Sequence, residues 1–290
     1  MTRFIAPIAT LLLALILDGT AWAYTAAGDR EFPATILLPQ IGPADELYVT
    51  GQSQPVAGGR VSGLYTTFDK TITERFGLGV TAGYGFVQTT GAPTQAGWQN
   101  TSLFAQYAVV IDPDNEFLLS LGGERELGGT GARRAGADPN GATTPLVYFG
   151  QGLGNVGADF LKPVSIVGNL GATIGDGSRP NQWTGGLALE YSIPYYTAKV
   201  GSVPDAFRDL VPMVEFTAST PMSSRTQGTN TELVMGPGVN ITGAGWELGV
   251  EATVPLTRAA GRGLGMALQL HIALDYLLPD SLGMPLIQGR

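Results

Sequence analysis

Residues 76 to 86, FGLGVTAGYGF, decide the fold. Phe76, Leu78, Val80, Ala82, Tyr84 and Phe86 are apolar, and Gly77, Gly79, Thr81, Gly83 and Gly85 alternate with them. A period of two puts each set on its own face of a β-strand. An apolar face with aromatic ends, opposite a face of small residues, suits a strand that meets lipid on one side and a lumen on the other.

The same alternation recurs along the chain. Trp183, Leu187, Leu189, Tyr191 and Ile193 stand against Thr184, Gly186, Ala188, Glu190 and Ser192. Trp246, Leu248, Val250, Ala252 and Val254 stand against Glu247, Gly249, Glu251 and Thr253, and Leu268, Leu270, Ile272, Leu274 and Tyr276 against Gln269, His271, Ala273 and Asp275. The pattern predicts strands at 45–56, 60–72, 76–89, 98–111, 115–126, 144–153, 163–174, 181–194, 210–221, 229–241, 245–256 and 264–277. These make an all-β, antiparallel, up-and-down transmembrane barrel of about twelve strands, with both ends of the chain on the periplasmic side.

Loops at 90–97, 127–143, 175–180, 222–228 and 257–263 then fall outside the cell. The tight turns Thr73-Glu74-Arg75 and Asp112-Pro113-Asp114-Asn115 fall inside. In the longer inner connection at 195–209, Ser202 before Pro204 and Asp205 predicts a short periplasmic helix over 204–210.

Composition fits this reading. Only 14% of residues are charged and 42 are glycine, a surface poor in charge for water. A soluble β-sandwich would carry more lysine than Lys70, Lys162 and Lys199. Cysteine is absent, which excludes disulfides and thiol chemistry. A net charge of −8 with 16 basic residues excludes nucleic acid as a partner.

Residues 1–23, MTRFIAPIATLLLALILDGTAWA, read as a secretory signal: Arg3, an apolar run from Phe4 to Leu17, and Ala21 and Ala23 around Trp22. The run is shorter than the roughly 20 residues that span a bilayer. The chain therefore divides into a cleaved signal at 1–23, a periplasmic or luminal segment at 24–43, a barrel at 44–278 and a tail at 279–290. Export and a barrel place the mature protein in the bacterial outer membrane, against lipid and lipopolysaccharide.

Several C-terminal motifs carry a resemblance: FGQGLGN (149–155), FLKPVSIVGNLGATIGD (160–176), GGLALEYSIPY (185–195), VPMVEFTASTP (211–221) and the run from Gly245 to Leu286. Residues 140–290 resemble a family of proteobacterial outer-membrane barrels described as transporters, related to the "MetA-pathway of phenol degradation" proteins. The resemblance implies a small barrel that passes hydrophobic or aromatic compounds, and brings no catalytic residues or cofactors with it.

The predicted lumen face gathers Glu124, Glu126, Glu190, Glu215, Glu232, Glu247, Glu251 and Asp275, with Arg60 and His271 as basic partners. An acidic lumen concentrates cations and repels anions; the same carboxylates could equally serve only to keep the interior wet. His271 is the sole histidine, so a site of several imidazoles is excluded and no metal is expected. A hairpin closed near residue 260 brings Glu251 opposite or diagonal to His271. Arg133 and Arg134, in the longest outer loop, are candidates for lipopolysaccharide phosphates.

Three functions compete. The first is a channel or transporter for small solutes that is not anion-selective. The second is a structural or adhesive barrel whose lumen is filled by side chains or by residues 24–43. The third is a phospholipase-like enzyme, which needs a serine within reach of His271; the partner strand offers Gly249, Glu251 and Thr253, and the first strand only the remote Ser53. No enzyme activity is expected.

Overall fold

The computed structural model describes residues 25–222 and 231–287. The signal at 1–23 and most of the loop at 222–228 lie outside the described residues. A hairpin of β1 (Thr25–Ala27) and β2 (Arg30–Phe32) precedes the barrel. The wall comprises β3 (Glu46–Val56), β4 (Gly59–Thr73), β5 (Phe76–Thr89), β6 (Gln95–Trp98), β7 (Ser102–Asp112), β8 (Phe117–Glu126), β9 (Ala142–Gly152), β10 (Val164–Gly175), β11 (Gln182–Tyr191), β12 (Leu210–Pro221), β13 (Glu232–Gly243), β14 (Trp246–Pro255) and β15 (Gly265–Ala273).

Every neighbouring pair is antiparallel, and β15 pairs with β3 from Met266↔Ser53 to Ala273↔Glu46, closing the ring. Both β6 and β7 pair with β5: Tyr84 faces Trp98 and Thr81 faces Ser102, so two residues of β5 oppose three of its neighbour. That one-residue excess is a β-bulge. β6 and β7 together form one stave, and the closed barrel has twelve.

The alternation is realised as the pattern requires. Leu78 and Phe86 of β5, Leu187 and Leu189 of β11, Leu248 and Val250 of β14 and Leu268 of β15 all point outward and are 40–46% exposed. Their alternates point inward. Closure removes every sheet edge, which is the condition for a sheet to cross a bilayer.

Two predicted boundaries are corrected. β11 ends at Tyr191, and a helix, α1 (Ile193–Lys199), follows it, whereas the predicted helix at 204–210 is only a 3-10 turn at Asp205–Phe207. The start signal is Ser192, whose Oγ accepts the Tyr195 N–H at 3.2 Å, with Pro194 in the first turn. β15 stops at Ala273 and gives way to a helical turn, α2 (Leu274–Leu277), so Leu274, Asp275 and Tyr276 are not part of the strand. The tail then folds back beneath β4: the Leu286 and Ile287 N–H groups donate to the Thr71 and Ile72 carbonyls at 3.2 and 2.8 Å.

The lower half of the barrel is filled by its own N-terminal segment. Arg30 and Phe32 are fully buried, and Ala34, Ile36, Leu38 and Ile41 are at most 7% exposed. Phe32, Leu38 and Ile41 join Leu118, Leu146, Tyr148 and Val167 of the wall in one apolar cluster. Each such side chain withdrawn from water stabilises by about 1.5–3 kcal/mol. Wall glycines make the room: a Cβ on Gly150 would stand 3.0 Å from Phe32, and one on Gly249 would stand 2.6 Å from Ile36. Gly150, Gly152 and Gly154, which as a sequence imitate a nucleotide-binding fingerprint, lie at the seat of this plug.

Candidate functional site

The luminal carboxylates meet the plug's backbone. Glu215 on β12 accepts three consecutive N–H groups, from Ile36 at 2.6 Å and from Leu37 and Leu38 at 3.0 Å. Glu247 on β14 accepts the Ala34 N–H at 3.3 Å and the Asn240 amide at 2.7 Å, while the same amide donates to the Ala34 carbonyl at 2.7 Å. A turn that leaves the sheet has no ladder for its N–H groups, and buried N–H groups must be paired. These acidic side chains supply the acceptors.

The other predicted residues separate by depth. Glu190 accepts from Ser165 at 2.8 Å and is buried, as is Glu251, which lies against Glu215 in a space that a side chain on Gly236 would overlap. Glu124 lines the open upper lumen. Glu126 pairs with Arg179 at 2.7 Å, and Glu232 stands at the outer rim of the lumen. Asp275 is below the barrel on α2, where burial first and the nearby Glu46 second push its carboxyl up to about 6.

The expected pairing of His271 with Glu251 is corrected by the register. Glu247 faces His271, and Glu251 faces Ala267, because the hairpin pairs Trp246 with Ile272. His271 Nδ1 is 3.5 Å from Glu247 and Nε2 is 3.4 Å from Glu46, and the ring stacks on Tyr48 at 4.6 Å. The Tyr48 hydroxyl donates to Glu46. Ser53 faces Met266, five strand positions from His271, which is roughly 17 Å.

The sequence reading left out the residues that anchor the plug's base. Arg30 is ion-paired to Glu116 at 2.9 Å, donates to the Lys162 carbonyl at 2.5 Å, and lies 3.7 Å over the ring of Tyr195 on α1. Tyr195 and the Gly154 N–H complete Glu116 at 2.7 and 2.8 Å. The plug thus brings a basic group of its own, Arg30, to join His271 of the wall, whereas Arg60 is exposed and bonds Ser53. Glu31 beside it has its carboxyl pushed up to about 8, by burial first and then by the charges of Glu247, Asp275 and Asp29. Glu46, Tyr48 and Asp69 were findable, since they alternate with Leu47, Val49 and Phe68 as the other luminal residues do.

Above the plug the lumen is open. A chamber of about 230 Å³ lies between the turn at residues 35–40 and the wall residues Tyr48, Tyr65, Phe104 and Tyr148. A vestibule of about 520 Å³ shares Leu37, Leu38, Pro39, Gln52 and Glu124 with it and reaches the rim at Glu232 and Ala260. Neither space is lined by a lysine or arginine among the described residues, while Asp69 and Glu124 line the chamber. Arg133 and Arg134 are exposed in a 3-10 turn of the outer loop, with Arg134 bonded to the Ala96 carbonyl at 2.9 Å.

No family model matches the sequence, and no curated protein matches it. Solved structures do. The COG4313 outer membrane channel from Pseudomonas putida F1 superposes with a TM-score of 0.56 at 11% identity, over 84% of this chain and 99% of that one. The KdgM porin gives 0.46 at 12% identity over 79% and 98%, and LpxR from Salmonella typhimurium 0.48 at 10% over 79% and 99%. At 11% identity what this chain shares with the COG4313 channel is the fold, an outer-membrane β-barrel, here a closed ring of twelve staves.

Proposed function

We propose that this protein is an outer-membrane channel for small solutes, admitting cationic, neutral or aromatic molecules in preference to anions. The observation that carries the reading is the continuous vestibule and chamber, lined by carboxylates, hydroxyls and aromatic rings and by no basic side chain among the described residues. Such a lining concentrates cations and excludes anions. Passage beyond the chamber requires the turn at 34–38 to leave Glu215 and Glu247. The outward apolar band meets lipid, and Arg133 and Arg134 meet lipopolysaccharide phosphates.

A second reading rests on the plug itself: a barrel filled to half its height by residues 25–45 serves as a structural or adhesive element. Planar-bilayer recordings on the purified protein separate the two. The channel reading expects cation-preferring current that grows when Glu215→Ala frees the plug. A barrel silent in both forms defeats it and leaves the structural one.

A further inference from the structure

The chamber contains a carboxylate that the fold leaves unanswered. Asp69, on the luminal face of β4, is 7% exposed, and its Oδ1 is buried with no hydrogen bond from any described residue. Its neighbours explain how it is held open. Gly79 faces Phe104 across the β5–β7 pair, and a Cβ on Gly79 would overlap the Phe104 ring and stand 2.6 Å from Asp69 Oδ1. Ring and carboxylate therefore lie side by side in the space that a glycine vacates.

Tyr65 is accommodated in the same manner. Its ring lies across Gly63 and Gly83, where added Cβ atoms would stand 2.9 Å from Oη and 2.7 Å from Cε1. Tyr48 and Tyr148 line the same chamber. An ionised carboxylate buried without a donor is costly, and a bound cation offsets that cost. Aromatic rings attract the same charge through their faces, most strongly when water is excluded. The chamber's roughly 230 Å³ exceeds the roughly 150 Å³ that admits benzene.

We propose that this chamber binds a small organic ammonium ion bearing one aromatic ring, with Asp69 as counter-ion and Tyr65 and Phe104 as its aromatic walls. The proposal deepens the channel reading, taking the chamber as a station on the solute's path. No lysine or arginine among the described residues lines the chamber to hold an anion, and an inorganic cation gains nothing from the apolar half of the wall.

The test is calorimetric titration of the purified full-length barrel with benzyltrimethylammonium, benzyl alcohol and benzoate, alongside bilayer recordings of the same preparation. The expected order is the ammonium ion roughly tenfold or more tighter than the alcohol, with benzoate undetectable. Asp69→Asn lowers ammonium affinity at least about tenfold while leaving the alcohol unchanged. Phe104→Leu, which keeps the charge, weakens the ammonium ion several-fold more than the alcohol and serves if Asp69→Asn does not fold. Equal affinity for all three probes, or an ammonium affinity indifferent to both substitutions, overturns the proposal. Current without ammonium binding defeats this site and leaves the channel; ammonium binding without current upholds the site and defeats passage.

Discussion

Replacing Glu215 by alanine should unseat the plug without opening the wall. The substitution removes the acceptor of three successive N–H groups, those of Ile36, Leu37 and Leu38, at 2.6–3.0 Å. Each buried donor left unpaired costs roughly 1–3 kcal/mol, and water from the chamber above recovers part of it, so the net loss is about 3–6 kcal/mol. At about 1.4 kcal/mol per factor of ten, the open fraction of the turn rises by roughly two to four orders of magnitude. Hydrogen exchange by mass spectrometry on peptides spanning 30–45 reads this directly, with the strand peptides as internal controls. Heat-modifiable migration on a gel checks that the barrel is intact. Unchanged exchange at 34–38 in an intact Glu215→Ala barrel would refute the view that luminal carboxylates hold the plug.

Three further outcomes follow from the same geometry. Arg30→Met leaves Glu116 without its buried ion pair and Tyr195 without the guanidinium on its ring, so the plug's base loses about 3–5 kcal/mol; protease cleavage between 25 and 45 should appear while the barrel core survives. Gly186→Val, whose Cβ would overlap Leu38, should raise exchange at 36–41 through an overpacking cost of about 1–3 kcal/mol, with strand protection retained. Seating should also weaken as pH rises. Glu31 keeps its proton to about 8 in the seated plug but ionises near 4.5 once released, so its contribution is full below about 4.5 and declines until about 8. Since the chain has no cysteine, an environment-sensitive dye on Leu37→Cys can follow seating, and Glu31→Gln should flatten the profile between pH 5 and 8; an unchanged slope would count against this assignment.

The wall was legible in the sequence because a strand between lipid and lumen obeys a period of two, and FGLGVTAGYGF shows it without exception. Strand ends were less so. Ser192 and Pro194 start a helix inside an apolar alternation that runs on to Ile193, and the local cap outweighs the pattern. The acidic lumen was legible too, but its use was not: Glu215 and Glu247 face backbone N–H groups some 180 to 210 positions away in the chain, and nothing periodic marks residues 34–38. The offset between His271 and Glu251 came from a hairpin register, which turn geometry at 256–264 sets and composition does not. Arg30, Glu116 and Tyr195 meet only through the closed ring, so no local signal could announce them.

The plug's position in the chain has a consequence for how the protein is assembled. Pro43 to Asp45 are all that separate the luminal segment from β3, and β3 is the strand that receives β15 across the seam from Glu46↔Ala273 to Ser53↔Met266. That seam joins the two ends of the barrel and is the least local pairing in it, hence the slowest to form by loop-closure entropy. A tether of three residues keeps the segment beside β3 wherever that strand goes. The segment therefore comes within reach of its acceptors on β12 and β14 only as β3 is brought round to β15, so that the wall's last pairing and the first seating of the plug are coupled in assembly.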